Sequence, residues 1–244
     1  MFDQNQNSYL GYQGVNREMA QTTKTFMSGV FSWMAIALAI SAFTAFLFAS
    51  SPSLMGILIS PTGGMSIMGW IVMLAPIGFV LLMSARFEKM SSGNLALMFG
   101  LYAVLMGASL SFIFLIYTLG SIAKTFFIAT GMFGLMAIVG YTTKTDLTKF
   151  GALMMMALIG IIIASLVNMF LGSPMMDYVI SIIGVMVFTG LTAYDVQKLK
   201  NIGASGMVSG EMAKKVTIMG ALTLYLDFIN LFLFLLRLFG SRRD

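Results

Sequence analysis

Residues 26–49 read FMSGVFSWMAIALAISAFTAFLFA and contain no charged side chain. A helix of this length rises about 36 Å, since each residue adds about 1.5 Å, and it can cross a hydrocarbon core of about 30 Å. The run is longer than the apolar core of a signal peptide, which spans about 7 to 15 residues. It therefore predicts a transmembrane helix that is retained in the protein.

The rest of the chain repeats this pattern. Hydrophobic residues make up 59% of the 244 residues and charged residues only 9%, whereas soluble domains contain about 25% charged residues. Six further apolar runs are long enough to cross a bilayer, and short loops rich in Ser, Pro and Gly separate them. We predict an all-α integral membrane protein with seven transmembrane helices, at Phe26–Ala49, Ser66–Ala85, Leu95–Tyr117, Thr125–Tyr141, Ala152–Gly172, Tyr178–Leu199 and Val216–Phe239.

The spans form a single predicted domain, residues 26–239, between a polar cytoplasmic tail at 1–25 and a short basic tail at 240–244. If the spans alternate, ten of the 14 Lys and Arg residues lie on the side of the N-terminus, and an excess of Lys and Arg marks the cytoplasmic side. Three of the four exceptions are Arg237, Arg242 and Arg243 at the C-terminus. A re-entrant seventh segment would return them to the cytoplasm, so both topologies stay open.

The composition excludes several classes of function. The chain has no His and no Cys, which excludes Ser-His-Asp hydrolysis, haem ligation by imidazole and metal sites built from thiolates. The net charge of +5 comes from a few loop residues, which disfavours a nucleic-acid partner. The segment Gly120–Thr125 lacks the glycine that precedes the lysine of a Walker motif, so no ATP-driven pumping is expected. We predict that the protein is not an enzyme and has no cofactor.

Acidic residues inside the apolar runs are the candidates for chemistry, because an ionisable group in hydrocarbon costs several kcal/mol unless it is paired, protonated or hydrated. Asp227 lies near the middle of the last span and shares a helix face with Gly220, Thr223 and Asn230. Such a polar seam must face protein or water.

Asp195 lies near the inner end of the sixth span, on a face that includes Thr192. It is either a solvated acid at a helix end or a partner of Asp227, because the short loop makes the last two spans antiparallel neighbours. Two carboxylates in a low-dielectric site cannot easily both ionise, so such a pair would share a proton and act as a pH sensor. Counting residues nevertheless places Asp227 about 10 Å deeper than Asp195.

Arg86 at the inner end of the second span allows two interpretations. It is either an anchor that follows the positive-inside rule, or a latch that reaches the Asp195 carboxylate through a charge-assisted hydrogen bond and closes the inner mouth. An intramembrane aspartyl protease also uses one aspartate on each of two neighbouring spans. Its Gly-x-Gly-Asp motif is absent, because Leu224–Asp227 contains no glycine, which disfavours protease activity.

Four segments resemble the bacterial branch of the Bax inhibitor family, the transmembrane Bax inhibitor motif proteins. They are FG at 133–134, GYTTKTDLTKFG at 140–151, FTGLTAYD at 188–195 and GALTLYLDFINLF at 220–232. The resemblance extends from Met19 onward. It implies six helices around a central last helix, and a pH-sensitive calcium leak in the bilayer of the inner membrane. It also implies that Asp195 and Asp227 are the sensor and that Arg86 pairs with Asp195.

Calcium in this interpretation is the transported ion. Calcium takes six to eight oxygen ligands, and the two carboxylates with Tyr194, Thr223 and Asn230 form a sparse set that suits passage better than storage. A second function stays open. Some relatives are thought to regulate a membrane protease or a stress component, and the polar tail at 1–25 would then be the contact surface.

Overall fold

The computed structural model describes residues 3–60, 64–206 and 208–243, with side chains from Ala20 onward. Within these ranges the chain forms helices joined by short loops. It forms no strand there, apart from two isolated bridges. The helices are α1 (Asp3–Ser50), α2 (Pro52–Leu58), α3 (Ile67–Ala85), α4 (Ser92–Leu110), α5 (Ile113–Ile116), α6 (Leu119–Thr142), α7 (Thr148–Leu171), α8 (Pro174–Ala204) and α9 (Gly210–Phe239).

Seven helical segments are long and apolar enough to cross a membrane, which confirms the predicted number of spans. The third segment contains α4 and α5, with a break between Leu110 and Ile113. The sixth and seventh reach well beyond their predicted inner ends. The segments are Ala20–Ser50, Ile67–Ala85, Ser92–Ile116, Leu119–Thr142, Thr148–Leu171, Pro174–Ala204 and Gly210–Phe239.

Short hydroxyl side chains fix where most spans begin. The first backbone amides of a helix have no partner within the helix, and a Ser or Thr oxygen at the N-cap accepts from one of them. Ser66, Ser91 and Ser173 do this for α3, α4 and α8, and Thr118 does so for α6. The polar loop residues therefore set the boundaries of the apolar helices.

Helix α9 is the most buried span and packs on α1, α4, α6 and α8. Helix α3 packs mainly on α4, and α7 packs mainly on α8 and is the most exposed span. This arrangement agrees with the central last helix that the family resemblance implied.

Two glycines let helices approach at backbone distance. A Cβ atom on Gly107 would lie 3.0 Å from the Ser41 Cα atom, where α4 crosses α1, and one on Gly140 would lie 2.9 Å from the Ala193 Cα atom, where α6 crosses α8. Gly100 lies two turns before Gly107 on the same face of α4, but a Cβ atom there would meet no atom within 4 Å. The spacing of small residues alone therefore does not identify the helix contact.

The C-terminal tail lies beside the segment between α5 and α6. The Thr118 amide donates to the Ser241 carbonyl at 3.1 Å, and the Arg243 amide donates to the Ile116 carbonyl at 2.8 Å. Helix α9 is one unbroken helix of 30 residues that is long and apolar enough to cross a membrane, which favours a seventh crossing over a re-entrant segment. The tail lies at the end of the bundle opposite to the loop between α8 and α9.

Candidate functional site

Helices α8 and α9 form a long antiparallel hairpin with close packing at two glycines. A Cβ atom on Gly220 would lie 2.6 Å from the Leu199 side chain, and one on Gly184 would lie 2.7 Å from the Phe234 ring. Both glycines are buried. The missing side chains therefore allow α8 and α9 to pack closely along most of their length.

Asp195 and Asp227 meet between these two glycine contacts. Their carboxyl groups lie within hydrogen-bonding reach of each other. Asp195 is half-buried, and Asp227 is 5% exposed. The Oδ2 atom of Asp227 is buried without a hydrogen-bond partner in the described part of the chain. The predicted convergence of the two acids is therefore present in the structure.

The two acids meet although Asp227 lies farther from the turn than Asp195. Helix α8 ends at Ala204, nine residues after Asp195, and α9 begins at Gly210, 17 residues before Asp227. This difference of eight residues corresponds to about 12 Å along a helix. The carboxyl groups nevertheless contact each other, so the first turns of α9 extend past the end of α8. The difference in depth predicted by counting is therefore absent because the two helices are staggered.

A cavity of about 630 Å³ contains both carboxyl groups, and we call it the acidic cavity. It lies between α7, α8 and α9, and apart from the acids its polar side chains are Ser165, Thr223 and Asn230. Thr192 does not line it, because its buried hydroxyl donates to the Phe188 carbonyl at 2.7 Å. The other lining residues are Met155, Leu158, Ile161, Ile162, Leu166, Met169, Phe188, Leu191, Leu226 and Phe234.

Thr223 and Asn230 each bond to their own helix backbone. The Thr223 hydroxyl donates to the Met219 carbonyl at 3.1 Å, and the Asn230 amide donates to the Leu226 carbonyl at 2.9 Å. Their remaining oxygen lone pairs are left to face the acidic cavity. Two of the three predicted supporting residues are therefore in place beside the acids.

Two aromatic rings line the acidic cavity between the acids and the outer end of the hairpin, the end that carries the C-terminal tail. Phe188 and Phe234 stack with their ring centroids 5.8 Å apart. Each ring lies two helical turns from the acid on its own helix, about 10 Å along the axis. An ion that leaves the carboxyl pair in this direction passes an apolar wall.

The structure does not bring Arg86 to Asp195. Arg86 is the exposed residue that follows α3. Within the described ranges the only ion pair joins Arg237 to Asp177. The predicted latch contact is thus not formed, because α3 packs on α4 and ends away from α8. The cation that acts on Asp195 is Lys198, one turn away on α8.

Helix α9 holds the turn that follows Arg86 with two other side chains. The Glu211 carboxylate accepts from the Ser92 amide at 2.6 Å and from the Ser92 hydroxyl at 3.0 Å. The buried Lys215 ammonium donates to the Glu88 carbonyl at 3.1 Å and lies over the Phe87 ring. These contacts join the α3–α4 turn to the start of the helix that carries Asp227.

The segment 140–151 shapes the inner end of the site. The Gln197 amide donates to the Thr145 carbonyl at 2.8 Å, and its carbonyl oxygen accepts from the Leu147 amide at 2.8 Å. Gly151 lies against the Tyr194 ring, which directs this side chain toward α7 and away from the acidic cavity. The predicted calcium ligand Tyr194 is therefore not placed beside the acids. Nothing in the sequence indicated the role of Gln197. A neutral side chain that forms hydrogen bonds to the backbone of another segment belongs to no recognisable motif.

The same loop contains an acid whose ionisation is clearly shifted. The Thr148 hydroxyl donates to the Asp146 carboxylate at 2.6 Å, and the Thr148 amide donates to it at 2.9 Å. Because both bonds favour the charged form, they hold the pKa of Asp146 below its usual value. This acid therefore stabilises the start of α7.

The opposite face of α9 carries a second buried polar cluster. The Ser41 hydroxyl donates to the Ala103 carbonyl at 2.7 Å and lies 2.7 Å from the Tyr225 hydroxyl. The Tyr102 ring packs edge-on against the Tyr225 ring, and the buried Tyr102 hydroxyl has no partner within the described ranges. The sequence carries no signal for this cluster, because aromatic residues occur in many of the apolar runs.

A resident metal is not suggested by the arrangement of acids. Within the described ranges no group of three or more His, Cys, Asp or Glu residues lies close enough to hold a metal ion. The carboxyl pair, with the Thr223 and Asn230 oxygens, offers at most about six oxygens, the lower limit of the six to eight that calcium takes. A cation at this site would keep part of its water shell.

Comparison with known proteins agrees with this architecture. The family described as "Inhibitor of apoptosis-promoting Bax1" matches residues 23–244. The inner membrane protein YbhL of Escherichia coli strain K12 is 48% identical over 221 residues, which cover 90% of this chain and 93% of YbhL. An uncharacterized protein of Borreliella burgdorferi is 46% identical over 90% of this chain and 93% of its own length. A protein of Rickettsia prowazekii is 42% identical over 94% of both chains. The chain therefore belongs to the Bax inhibitor family of integral membrane proteins.

Proposed function

We propose that the protein is a passive, pH-sensitive calcium leak of the inner membrane, with its N-terminus in the cytoplasm. It acts as a channel and not as an enzyme. The observation that carries the proposal is the contact between Asp195 and Asp227 inside a cavity whose other walls are mostly apolar. Acids that are costly to bury inside a membrane protein mark ion or proton pathways. The inner membrane location follows the relative YbhL.

Protonation supplies the switch in this proposal. Two close carboxyl groups with little water favour a state in which they share one proton. Two negative charges would favour a divalent cation, whereas each added proton weakens that attraction. The charged group that faces the pair from α8 is Lys198, and the nearby polar groups of α9 are Thr223 and Asn230.

In this proposal, a movement of the α8–α9 hairpin couples protonation of the carboxyl pair to the passage of ions. Protonation of Asp195 removes the charge that attracts Lys198, and it replaces repulsion within the pair by a hydrogen bond. The stacked rings of Phe188 and Phe234 then need to separate before a hydrated ion can pass, as in channels that gate by an apolar constriction. Helix α7 has few contacts besides α8 and is the wall with the most freedom to move.

Calcium flux into proteoliposomes tests the proposal. We expect influx through the purified protein to rise as the pH falls, and to lose most of this pH dependence in Asp227→Asn. Asp177→Asn is the matched control, because Asp177 is an exposed acid at the other end of α8. Flux that is the same in Asp227→Asn and in the wild type at every pH would remove the pair from the mechanism.

The same experiment separates the leak from the second function predicted from the sequence. A regulator that binds a membrane protease or a stress component would give no flux at any pH. It would instead co-purify with its partner, and would lose the partner when residues 1–25 are deleted. Side chains before Ala20 lie outside the described part of the chain.

A further inference from the structure

The acidic cavity opens sideways toward lipid. Four of its lining residues on α7, Met155, Ile162, Leu166 and Met169, are also about half exposed or more on the surface of the bundle. In a membrane this surface contacts hydrocarbon chains. A molecule dissolved in the bilayer can therefore reach the carboxyl pair without passing through water.

The shape of the acidic cavity is that of a groove. Its lining on α7 extends from Met155 to Met169, which corresponds to about 21 Å along a helix. The acids lie toward its inner end, and the side chains farther along are apolar. The volume of about 630 Å³ falls in the range of small-molecule sites, which are mostly apolar with a few placed polar groups.

The charges in this groove have one sign. Asp195 and Asp227 are the titratable groups of the lining, and the contribution of α7 is uncharged. Asp227 is 5% exposed, and its Oδ2 atom has no hydrogen-bond partner within the described ranges. Lys198 lies outside the lining. A buried carboxylate oxygen without a partner is costly, so a cationic donor placed beside it would be bound strongly.

We infer that the acidic cavity is a binding site for lipophilic monocations, namely long-chain amines that enter from the bilayer. The ammonium group donates to the carboxyl pair and the alkyl chain lies along α7. The amine competes with protons and with calcium for the same carboxylates. This inference concerns the site of the proposed function, but it does not depend on ion flux.

Photoaffinity labelling in nanodiscs of phosphatidylcholine tests the inference. The probe is dodecylamine with a diazirine near the end of its chain, and the matched control probe is dodecanol with the same diazirine. We expect the amine to label α7 between Met155 and Met169 roughly tenfold more than the alcohol, the factor that one charge-assisted hydrogen bond supplies. Labelling should weaken as the pH falls, because protons then occupy the carboxylates.

Two variants sharpen the test. The double variant Asp195→Asn with Asp227→Asn should reduce amine labelling to the level of the alcohol. Leu158→Trp should fill the groove and block labelling, whereas Ile163→Trp, on the exposed face of the same helix outside the lining, should not. Equal labelling of the wild type by amine and alcohol, or full amine labelling of the double variant, overturns the inference.

The outcomes also separate this inference from the leak. Calcium flux that depends on Asp227, in a protein that the amine does not label above the alcohol, overturns the amine site alone. Specific amine labelling in a protein that carries no calcium overturns the leak alone. Specific labelling together with inhibition of calcium flux by unmodified dodecylamine supports both.

Discussion

Asp227 lies beside Asp195 at the same level of the α8–α9 hairpin, and its second carboxylate oxygen has no partner within the described ranges. A group that is buried in this way lowers stability, and natural proteins keep such groups mainly where function requires them. We therefore expect that the carboxyl pair lowers the stability of the folded protein and is retained for its function.

If the buried Asp227 carboxyl group lowers stability, Asp227→Asn should not destabilise the protein. Because asparagine has nearly the same shape and no charge, we expect the thermal unfolding temperature in detergent at neutral pH to stay the same or to rise. The loss of pH-dependent flux would then occur in a protein at least as stable as the wild type. A loss of more than about 1 kcal/mol, the net value of an ordinary hydrogen bond, would indicate that the acid has a structural role.

The stacked aromatic pair gives a prediction about the closed state. Phe234→Ala removes one of the two stacked rings that line the acidic cavity between the acids and its outer end. If these rings form the proposed constriction, the basal calcium flux at neutral pH should rise several-fold. Phe239→Ala is the control, since Phe239 is exposed at the end of the same helix. Flux in Phe234→Ala that stays at the wild-type level would place the barrier elsewhere.

Two glycines of α6 should respond in opposite directions to the same substitution. Gly140→Ala places a methyl group against the Ala193 backbone, and overpacking of this kind costs about 1–3 kcal/mol. Gly131→Ala meets no atom within 4 Å and should stabilise the helix by up to about 1 kcal/mol. Thermal unfolding of the two variants measures the difference, and equal effects would contradict the packing of α6 on α8.

The two buried tyrosines form another matched pair. Tyr225→Phe loses the hydroxyl contact with Ser41 and should cost about 1 kcal/mol. Tyr102→Phe removes a buried hydroxyl that has no partner in the described part of the chain, so it should be neutral or slightly stabilising. Equilibrium unfolding measures both, and a larger cost for Tyr102→Phe would show that its hydroxyl has a function in the folded protein.

The absence of natural cysteines allows a direct test of where the C-terminal tail lies. Tyr117 and Arg242 form an isolated antiparallel bridge. Opposed residues of this kind have Cα atoms about 4.5–5.5 Å apart, which suits a disulfide. We expect Tyr117→Cys with Arg242→Cys to form an internal disulfide on oxidation. Lys144→Cys with Arg242→Cys should not, because Lys144 lies in the loop at the other end of the bundle.

The seven spans were predictable because charges are nearly absent between them. The inner ends of α8 and α9 were not, because Lys200, Lys214 and Lys215 lie on the helices and resembled loop residues in the sequence. The stagger between α8 and α9 could not be predicted either, so counting residues placed the two acids at different depths. Their convergence was still predicted, since it depends only on the antiparallel pairing of neighbouring spans.

Other parts of the site carry no signal in a single sequence. Arg86 at the end of an apolar run fits an anchor and a latch equally well, and only the packing of α3 on α4 shows that it does not reach Asp195. Gly140 differs from Gly131 only in what lies opposite to it. Gln197 acts on the backbone of another segment, so neither its type nor its spacing indicated that contact. The roles of the acids in sensing and ion passage stay predictions until flux is measured.

The helix at the centre of the bundle follows the other six spans in the sequence, so it leaves the ribosome after them. During synthesis, the earlier spans enter the bilayer while the surfaces that later bury α9 still face lipid or one another. Because α8 and α9 are consecutive, Asp195 and Asp227 enter the membrane in close succession. A chain truncated before Gly210 would lack the helix on which four of the other spans pack, so we expect the insertion of α9 to complete the assembly of the bundle.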